Sequence, residues 1–205
     1  MSTLPFSSAT ERNRHPILVQ LRDLLPAKGT VLEIGSGTGQ HAVFFTRHLP
    51  GIHWQPTDRA ENLVGLEARF AAVGNPCIRK PLQLDVLKDP WPERLFAAAF
   101  SANTAHIMPW EAVQAMFAGV ATHLLPGARF CLYGPFNIEG TYTSAGNAQF
   151  DARLREQDPK MGIRDISAVE SLSNDHQMHL EQQIAMPANN FIMVFATAKA
   201  SGPDG

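Results

Sequence analysis

The amino-acid sequence predicts an α/β fold: a doubly wound, mostly parallel seven-stranded sheet closed by a C-terminal antiparallel hairpin. Three observations carry the prediction. Through the first two-thirds of the chain, short apolar runs alternate with stretches of helical periodicity. Three glycines lie between the first of those runs and the helix that follows it. Near the end, two strand-like runs are joined by Pro187-Ala188-Asn189-Asn190. Parallel strands need crossover helices on the sheet faces, whereas a tight turn joins antiparallel ones.

Each element has its own signal. Ser8-Ala9-Thr10-Glu11 has the spacing of a capping box, in which Ser8 accepts an early helical N–H and Glu11 reaches back to the cap. The helix that starts there carries Ile17, Leu18, Leu21, Leu24 and Leu25 on one face and stops at Pro26 and Gly29. The first strand covers 31–34 and leads across the glycines into a helix through Ala42, Phe44 and Phe45 to about residue 49. A second strand at 52–56 precedes a helix with Leu63, Leu66, Phe70 and Val73. The third strand is expected at 78–84 and the fourth at 95–102. Val113, Phe117, Val120 and Leu124 set the period of a helix over 110–125, which Pro126-Gly127 ends before a fifth strand at 128–133. Residues 144–157 and 165–172 read as helices. Met178, Leu180, Gln182, Ile184 and Met186 alternate as in a strand, and 191–197 is the last strand.

A chain of 205 residues with 44% hydrophobic and 18% charged residues holds enough apolar material for one packed core. One compact domain is expected, with residues 1–29 as a helical cap on a body spanning 30–205. Seventeen basic against nineteen acidic residues, a formal charge of −2, lack the basic excess that binding a phosphate backbone requires, so nucleic acid is not an expected partner. Cys77 and Cys131 are the only cysteines, and Cys131 falls in an apolar strand where a free thiol is ordinary; a reducing, cytoplasmic setting fits. Residues 1–14 contain no apolar stretch able to act as a signal peptide, and no run approaches the ~18 apolar residues of a membrane span.

The segment Val31-Leu32-Glu33-Ile34-Gly35-Ser36-Gly37-Thr38-Gly39-Gln40 leaves a buried strand and enters a helix. Glycines there let a ligand approach backbone N–H groups at the positive end of a helix, although any tight βα loop has the same look. Its spacing is G-x-G-x-G, one residue short of the G-x-G-x-x-G that cradles a dinucleotide pyrophosphate, and Glu33 stands two residues before it. Asp58, about 20 residues on, is placed either to accept from both ribose hydroxyls or to cap the helix after it. Asp85 ends the third strand. Open α/β sheets bind ligands beyond the carboxyl ends of their strands, so Glu33, Asp58 and Asp85 are expected to converge on one crevice.

The fourth strand runs into the same crevice with Asn103 and His106. His106 is a catalytic-base candidate or, equally ordinary, a histidine hydrogen-bonded beneath the loop. After the fifth strand, Tyr133 and Asn137 are candidates for orienting a substrate, or Gly134-Pro135 merely turns the chain there. His176 and His179 lack a carboxylate or cysteine to complete a metal set, and no metal is expected.

The glycine segment resembles the first motif of Rossmann-like methyltransferases, and Asp85 resembles by position the acid of that class facing the adenine amine. The likeness implies a class I methyltransferase type that binds S-adenosylmethionine and releases S-adenosylhomocysteine. It places Glu33 near the amino group of the methionine portion and Gly35, Ser36, Gly37 and Gly39 beneath the nucleoside. Asp58, Asp85, Val86 and Asn103 complete the implied cofactor set. A wider resemblance rests on several stretches: Glu11-Arg12-Asn13 with Pro16, His41, His106-Ile107-Met108-Pro109-Trp110, Tyr133-Gly134-Pro135-Phe136, Phe150-Asp151 with Leu154-Arg155, Gly162-Ile163-Arg164-Asp165 and Met186-Pro187-Ala188-Asn189-Asn190. Together they are similar to the little-characterised methyltransferase-like family that includes methyltransferase-like protein 26. One departure is Asp175-His176-Gln177-Met178-His179, where the resemblance leads one to expect a glycine-bearing turn. The resemblance also implies that Arg12, Asn13 and His15 fold over the pocket.

The expected activity is therefore methyl transfer to a small-molecule acceptor. A non-catalytic module that binds the cofactor or its product, and an NAD-dependent oxidoreductase, are the alternatives. No Asn-Pro-Pro-aromatic run follows the fourth strand, so methylation of nucleic-acid bases or glutamine amides is not indicated.

Overall fold

The computed structural model describes residues 4–199. In chain order the elements are α1 (Ser8–Leu24), β1 (Gly29–Ile34), α2 (Gln40–His48), β2 (Ile52–Asp58), α3 (Ala60–Val73) and β3 (Leu82–Gln83). Then come β4 (Phe96–Ala102), α4 (Trp110–His123), β5 (Leu124–Gly134), β6 (Phe136–Asn137), α5 (Ala145–Gln157) and β7 (Arg164–Asp165). The chain finishes with α6 (Ile166–Asp175), β8 (Met178–Met186), a short 3-10 turn (Pro187–Asn189) and β9 (Asn190–Thr197). The main sheet has seven strands in the order β3-β2-β1-β4-β5-β9-β8, and β6 pairs with β7 apart from it. β1 to β5 pair in parallel; β9 runs antiparallel to both β5 and β8, which is the expected closing hairpin.

Strand alternation gives the sheet two apolar faces. Val31, Trp54, Phe100, Cys131 and Val194 meet Ile17, Leu18 and Leu21 of α1 and Ala42 and Phe45 of α2 on one face. Leu32, Phe130, Leu132, Met193 and Phe195 meet Val113, Phe117 and Val120 of α4 and Val169 and Leu172 of α6 on the other. Cys131 is fully buried, and burial pushes its thiol up to about 12. Among the described residues, no helix is long and apolar enough to cross a membrane.

Three local expectations are corrected. The cap of α1 is Ser7, not Ser8: Ser7 Oγ accepts from the Thr10 N–H at 3.2 Å. The Ser7 N–H already goes to Gln40 Oε1, so Glu11 has no cap amide to reach and binds Arg14 and Gln40 instead. The third strand shrinks to two residues plus a bridge between Trp54 and Ile78, because Pro81 cannot donate to the ladder on this sheet edge. Pro126-Gly127 does not end a helix at residue 125. The chain turns extended at Leu124, and the pair sits inside β5, where the register jumps from Phe96–Leu124 to Ala98–Arg129. At the entry to β8, Gln177 takes a left-handed φ of 57°, within the stretch where the resemblance leads one to expect a glycine-bearing turn.

Candidate functional site

A cavity of about 730 Å³ opens beyond the carboxyl ends of the parallel strands. Sheet order arranges what borders it: Asp85 after β3, then Asp58 at the end of β2, the glycine turn after β1, and residues 103–109 after β4. Gly35, Ser36, Gly37, Val86, Asn103 and His106 also line it, so most of the expected residues come together. Glu33, Gly39, Tyr133 and Asn137 do not line it, and each for a visible reason.

The glycine turn is fixed by backbone geometry. Gly37 has φ +54°, and a Cβ there would meet nothing within 4 Å, so the turn is open toward the cavity at this residue. Gly39 caps α2 with φ +73°, and a Cβ there would come within 2.9 Å of Leu66 and Phe70, so this glycine serves packing against α3. The turn's amides are not free as the sequence suggests. Ser36 N–H goes to Thr57 O at 3.0 Å, Gly37 N–H to Asp58 Oδ2 at 2.6 Å and Gly39 N–H to Ser36 O at 2.9 Å. The glycines therefore contribute space and shape more than bare donors.

Glu33 lies behind the turn, 2% exposed, where Oε2 accepts from Ser36 Oγ at 2.7 Å and Trp54 Nε1 at 2.9 Å. Burial, helped by the nearby Asp58, raises its carboxyl to about 7 against the pull of those two donors. Asp58 braces the site. Oδ1 accepts from Arg59 N–H at 2.8 Å and Asn62 Nδ2 at 2.7 Å, and the cap of α3 is Arg59. With Gly37 on Oδ2, about one of a carboxylate's four acceptor positions stays open. Asp85 is half-buried; its Oδ1 accepts from Leu87 N–H at 3.0 Å, which holds the carboxyl below its ordinary value, and Lys88 stands 3.3 Å from Oδ2.

The loop after β4 is tied down from both sides. Asn103, with a left-handed φ of 59°, donates its N–H to Tyr133 O at 2.8 Å. Ser101 Oγ donates to Ile34 O at 2.7 Å and bonds Thr104 Oγ1 at 2.6 Å, linking the ends of β4 and β1. Gly162 N–H reaches His106 O at 2.9 Å, and the Arg164 guanidinium donates to the carbonyls of Ala105, Met108 and Lys160. The Gly162-to-Asp165 stretch is thus a clamp on the His106 loop. Asp151, 1% exposed, holds that clamp through the Ile163 N–H and also accepts from Tyr142 and Arg155.

His106 is 5% exposed, and its ring nitrogens have no hydrogen-bond partner among the described residues. It meets Phe150 edge to face at 5.2 Å. Burial, with Arg164 adding repulsion, lowers the imidazole to about 4, so it is uncharged at neutral pH.

Tyr133 points to the other face of the sheet, packed in the α1 and α2 layer with its hydroxyl toward Asn13. Asn137 lies on β6, opposite Asp165 of β7, with its Oδ1 buried and unpartnered. At the N-terminus, Arg12 and His15 are exposed, and Asn13 is buried against His41 Nε2 at 2.8 Å. The residues of α1 and its lead-in that reach the cavity are Ser7, Ala9 and Thr10. Sequence reading missed Asn62, Phe150, Asp158 and Met161 on the wall. Of these, only Phe150 stood in a quoted stretch. Among the described residues, no group of three or more His, Cys, Asp or Glu is placed to hold a metal ion.

A family model described as "Protein of unknown function (DUF938)" matches residues 4–197. Among solved structures, the chain is similar to the S-adenosylmethionine-dependent methyltransferase SibL in its apo form, at 18% identity and a TM-score of 0.78, over 93% of this chain and 56% of that one. It is similar to human N-acetylserotonin methyltransferase in complex with SAM, at 15% identity and a TM-score of 0.79, over 93% and 53%. An O-methyltransferase family 2 protein from Planctomyces limnophilus in complex with apigenin matches at 14% identity and a TM-score of 0.77, over 93% and 60%. The chain thus spans little more than half the length of these structures, and the likeness is one of fold: a mostly parallel seven-stranded sheet of the class I methyltransferase kind.

Proposed function

The chain belongs to the DUF938 family, and from that premise we propose that it is an S-adenosylmethionine-dependent methyltransferase acting on a small molecule. The observation that carries this reading is one cavity in which the ends of β1 to β4 meet. It is open at Gly37, bordered by Asp58 and Asp85, and followed by a buried, unpartnered His106. Its volume of about 730 Å³ falls in the range of roughly 300–1,000 Å³ usual for small-molecule sites.

The residues present fit the cofactor. Gly35, Ser36 and Gly37 shape the floor, Asp58 offers its remaining acceptor position with Asn62 beside it, and Asp85 and Val86 border the third-strand end. When bound, S-adenosylmethionine would supply an electrophilic methyl group on a sulfonium sulfur, which would keep the carbon–sulfur electron pair and leave as S-adenosylhomocysteine. This chain's own work is to bind, orient and exclude water. Alignment alone supplies on the order of 7–11 kcal/mol in well-oriented systems, so a strong base is not required. His106, neutral and unpartnered, is positioned to take the acceptor's proton, with Asn103 at the same strand end. Tyr133 and Asn137 have no part at the cavity wall in this reading.

We further take residues 1–29 as a cap on the 30–205 body, a cytoplasmic setting, and kinship with the family that includes methyltransferase-like protein 26. Calorimetric titration with S-adenosylhomocysteine tests the function. Wild-type protein is expected to bind, and Gly37→Val and Asp58→Ala to bind at least about tenfold more weakly, a difference of ~1.4 kcal/mol. Equal affinity in all three proteins, or tighter binding of NAD in competition, rejects the proposal.

A further inference from the structure

We propose that the methyl acceptor is a flat, apolar molecule that is uncharged or cationic and carries a hydrogen-bond donor, and that anions are turned away. The inference rests on the methyltransferase reading of the same cavity and concerns the end of it beyond β4.

Charge is divided unevenly along the cavity. Its cations, Arg59 and Lys88, follow β2 and β3 at the far end, and each is already paired: Arg59 with Glu61 at 2.9 Å and Lys88 with Asp85 at 3.3 Å. At the β4 end, the ionisable residues that line the cavity among those described are His106 and Asp158. Arg164 is nearby, with its Nε and Nη2 donating to the Ala105, Met108 and Lys160 carbonyls and its guanidinium over the Trp110 ring at 5.7 Å. The Lys160 ammonium is bound to Glu111 at 2.9 Å. An anion entering this end meets the Asp158 carboxylate, a like-charge juxtaposition of the kind that suppresses wrong partners.

The Asp158 carboxylate offers an acceptor there, and the neutral His106 imidazole offers one acceptor and one donor. Asp158 Oδ1 takes the Lys160 N–H at 2.9 Å, which leaves the other oxygen without a bond among the described residues. His106 brings an uncharged imidazole with no partner. A ligand bearing an amine or hydroxyl satisfies both; a carboxylate brings no donor for Asp158.

The remaining wall is apolar and mouldable. Phe150 presents a ring held edge to face with His106, and Met108, Met161 and Ile107 border the same space. Thioethers pack adaptably against aromatic faces, so this set suits a planar ring system better than a flexible chain.

Naphthol, naphthylmethylamine and naphthoate share one ring system and present a neutral, a cationic and an anionic head at pH 7. Their affinities are measured calorimetrically, with the protein saturated in S-adenosylhomocysteine and again without it. Naphthol and naphthylmethylamine are expected to bind at least about tenfold more tightly than naphthoate, as like-charge juxtaposition dictates. Asp158→Asn is expected to cut the amine's affinity about three- to tenfold while leaving naphthol unchanged, and Asp158→Lys to reverse the order of amine and carboxylate. Naphthoate binding as tightly as the other two, or no binding by any of the three, overturns the proposal. Absence of S-adenosylhomocysteine binding counts against the methyltransferase reading alone, since the titrations without it still report the preference.

Discussion

The Gln40 carboxamide is bonded to Ser7 through both its ends: Ser7 N–H donates to Oε1 at 2.7 Å, and Nε2 reaches Ser7 O at 3.5 Å. The same Nε2 donates to Glu11 Oε1 at 2.7 Å, and Thr38 Oγ1 donates to Oε1 at 2.9 Å. One residue at the start of α2 therefore joins the glycine turn to the start of α1, and with it the three α1-side residues of the cavity wall.

Gln40→Ala is expected to loosen that wall. S-adenosylhomocysteine affinity should fall about three- to tenfold, consistent with one or two buried hydrogen bonds of ~1 kcal/mol each. Amide exchange over residues 7–12 should accelerate, while the strands keep their protection. Unaltered exchange there would show that α1 is held by other contacts.

The two glycines that end the turn should fail differently. Gly37→Ala has φ to contend with but open space, so about 1–2 kcal/mol is expected. Gly39→Ala adds a collision with Leu66 and Phe70 to a similar φ, and its melting temperature should fall further, by several more degrees at ~2–4 °C per kcal/mol for this size. Thermal melts of both variants decide the point; a larger drop for Gly37→Ala contradicts the packing role given to Gly39.

Stability should rise with pH between about 4.5 and 6.5. His41, lowered to about 3 by burial and Arg14, and His106, lowered to about 4 by burial and Arg164, stay neutral when folded but take up protons when unfolded, so their stabilisation is present above 6.5 and lost on acidification. Glu33, raised to about 7 by burial beside Asp58, works the other way: its folded form keeps a proton that the unfolded chain releases above 4.5. Two protons against one leave a net uptake of about one on unfolding, or ~1.4 kcal/mol per pH unit. Glu33→Gln removes the opposing group and should roughly double that slope in urea titrations across this window. A slope unchanged or inverted in the variant refutes the assignment.

Asp151→Ala should separate the two ends of the cavity. It strips Ile163 N–H, Tyr142 and Arg155 of a common acceptor and slackens the clamp on His106. A loss of roughly 1–3 kcal/mol in stability is expected from the orphaned donors. Naphthol binding should weaken more than S-adenosylhomocysteine binding; an equal loss in both would mean that Asp151 supports the fold without favouring the β4 end.

The mostly parallel seven-stranded sheet and the glycine turn were legible because they rest on local signals: alternation, helical period and three glycines at a fixed spacing. Asp58 and Asp85 were found for the same reason, since strand ends in such sheets face one crevice. What the sequence could not reveal is which way a side chain leaves a strand end. Tyr133 closes β5 with the right chemistry but faces the α1 layer, and Glu33 is drawn back by Trp54, a partner 21 residues away. Phe150, Asp158 and Met161 belong to the wall through tertiary packing of α5 and the loop after it, and no spacing within that segment marks them. Gln177 is the converse case: the absence of a glycine from that stretch was visible, and the chain turns there with a left-handed glutamine.

Pro16 stands in the middle of α1 and has no N–H to give to the carbonyl of Arg12. Behind it, Ile17, Leu18, Leu21 and Leu24 are anchored in the sheet's apolar layer; ahead of it, Ser7, Ala9 and Thr10 touch the cavity, and Gln40 and the Asn13–His41 bond hold this part. Pro16 thus marks where the support of α1 changes, from greasy packing behind it to hydrogen bonds in front of it.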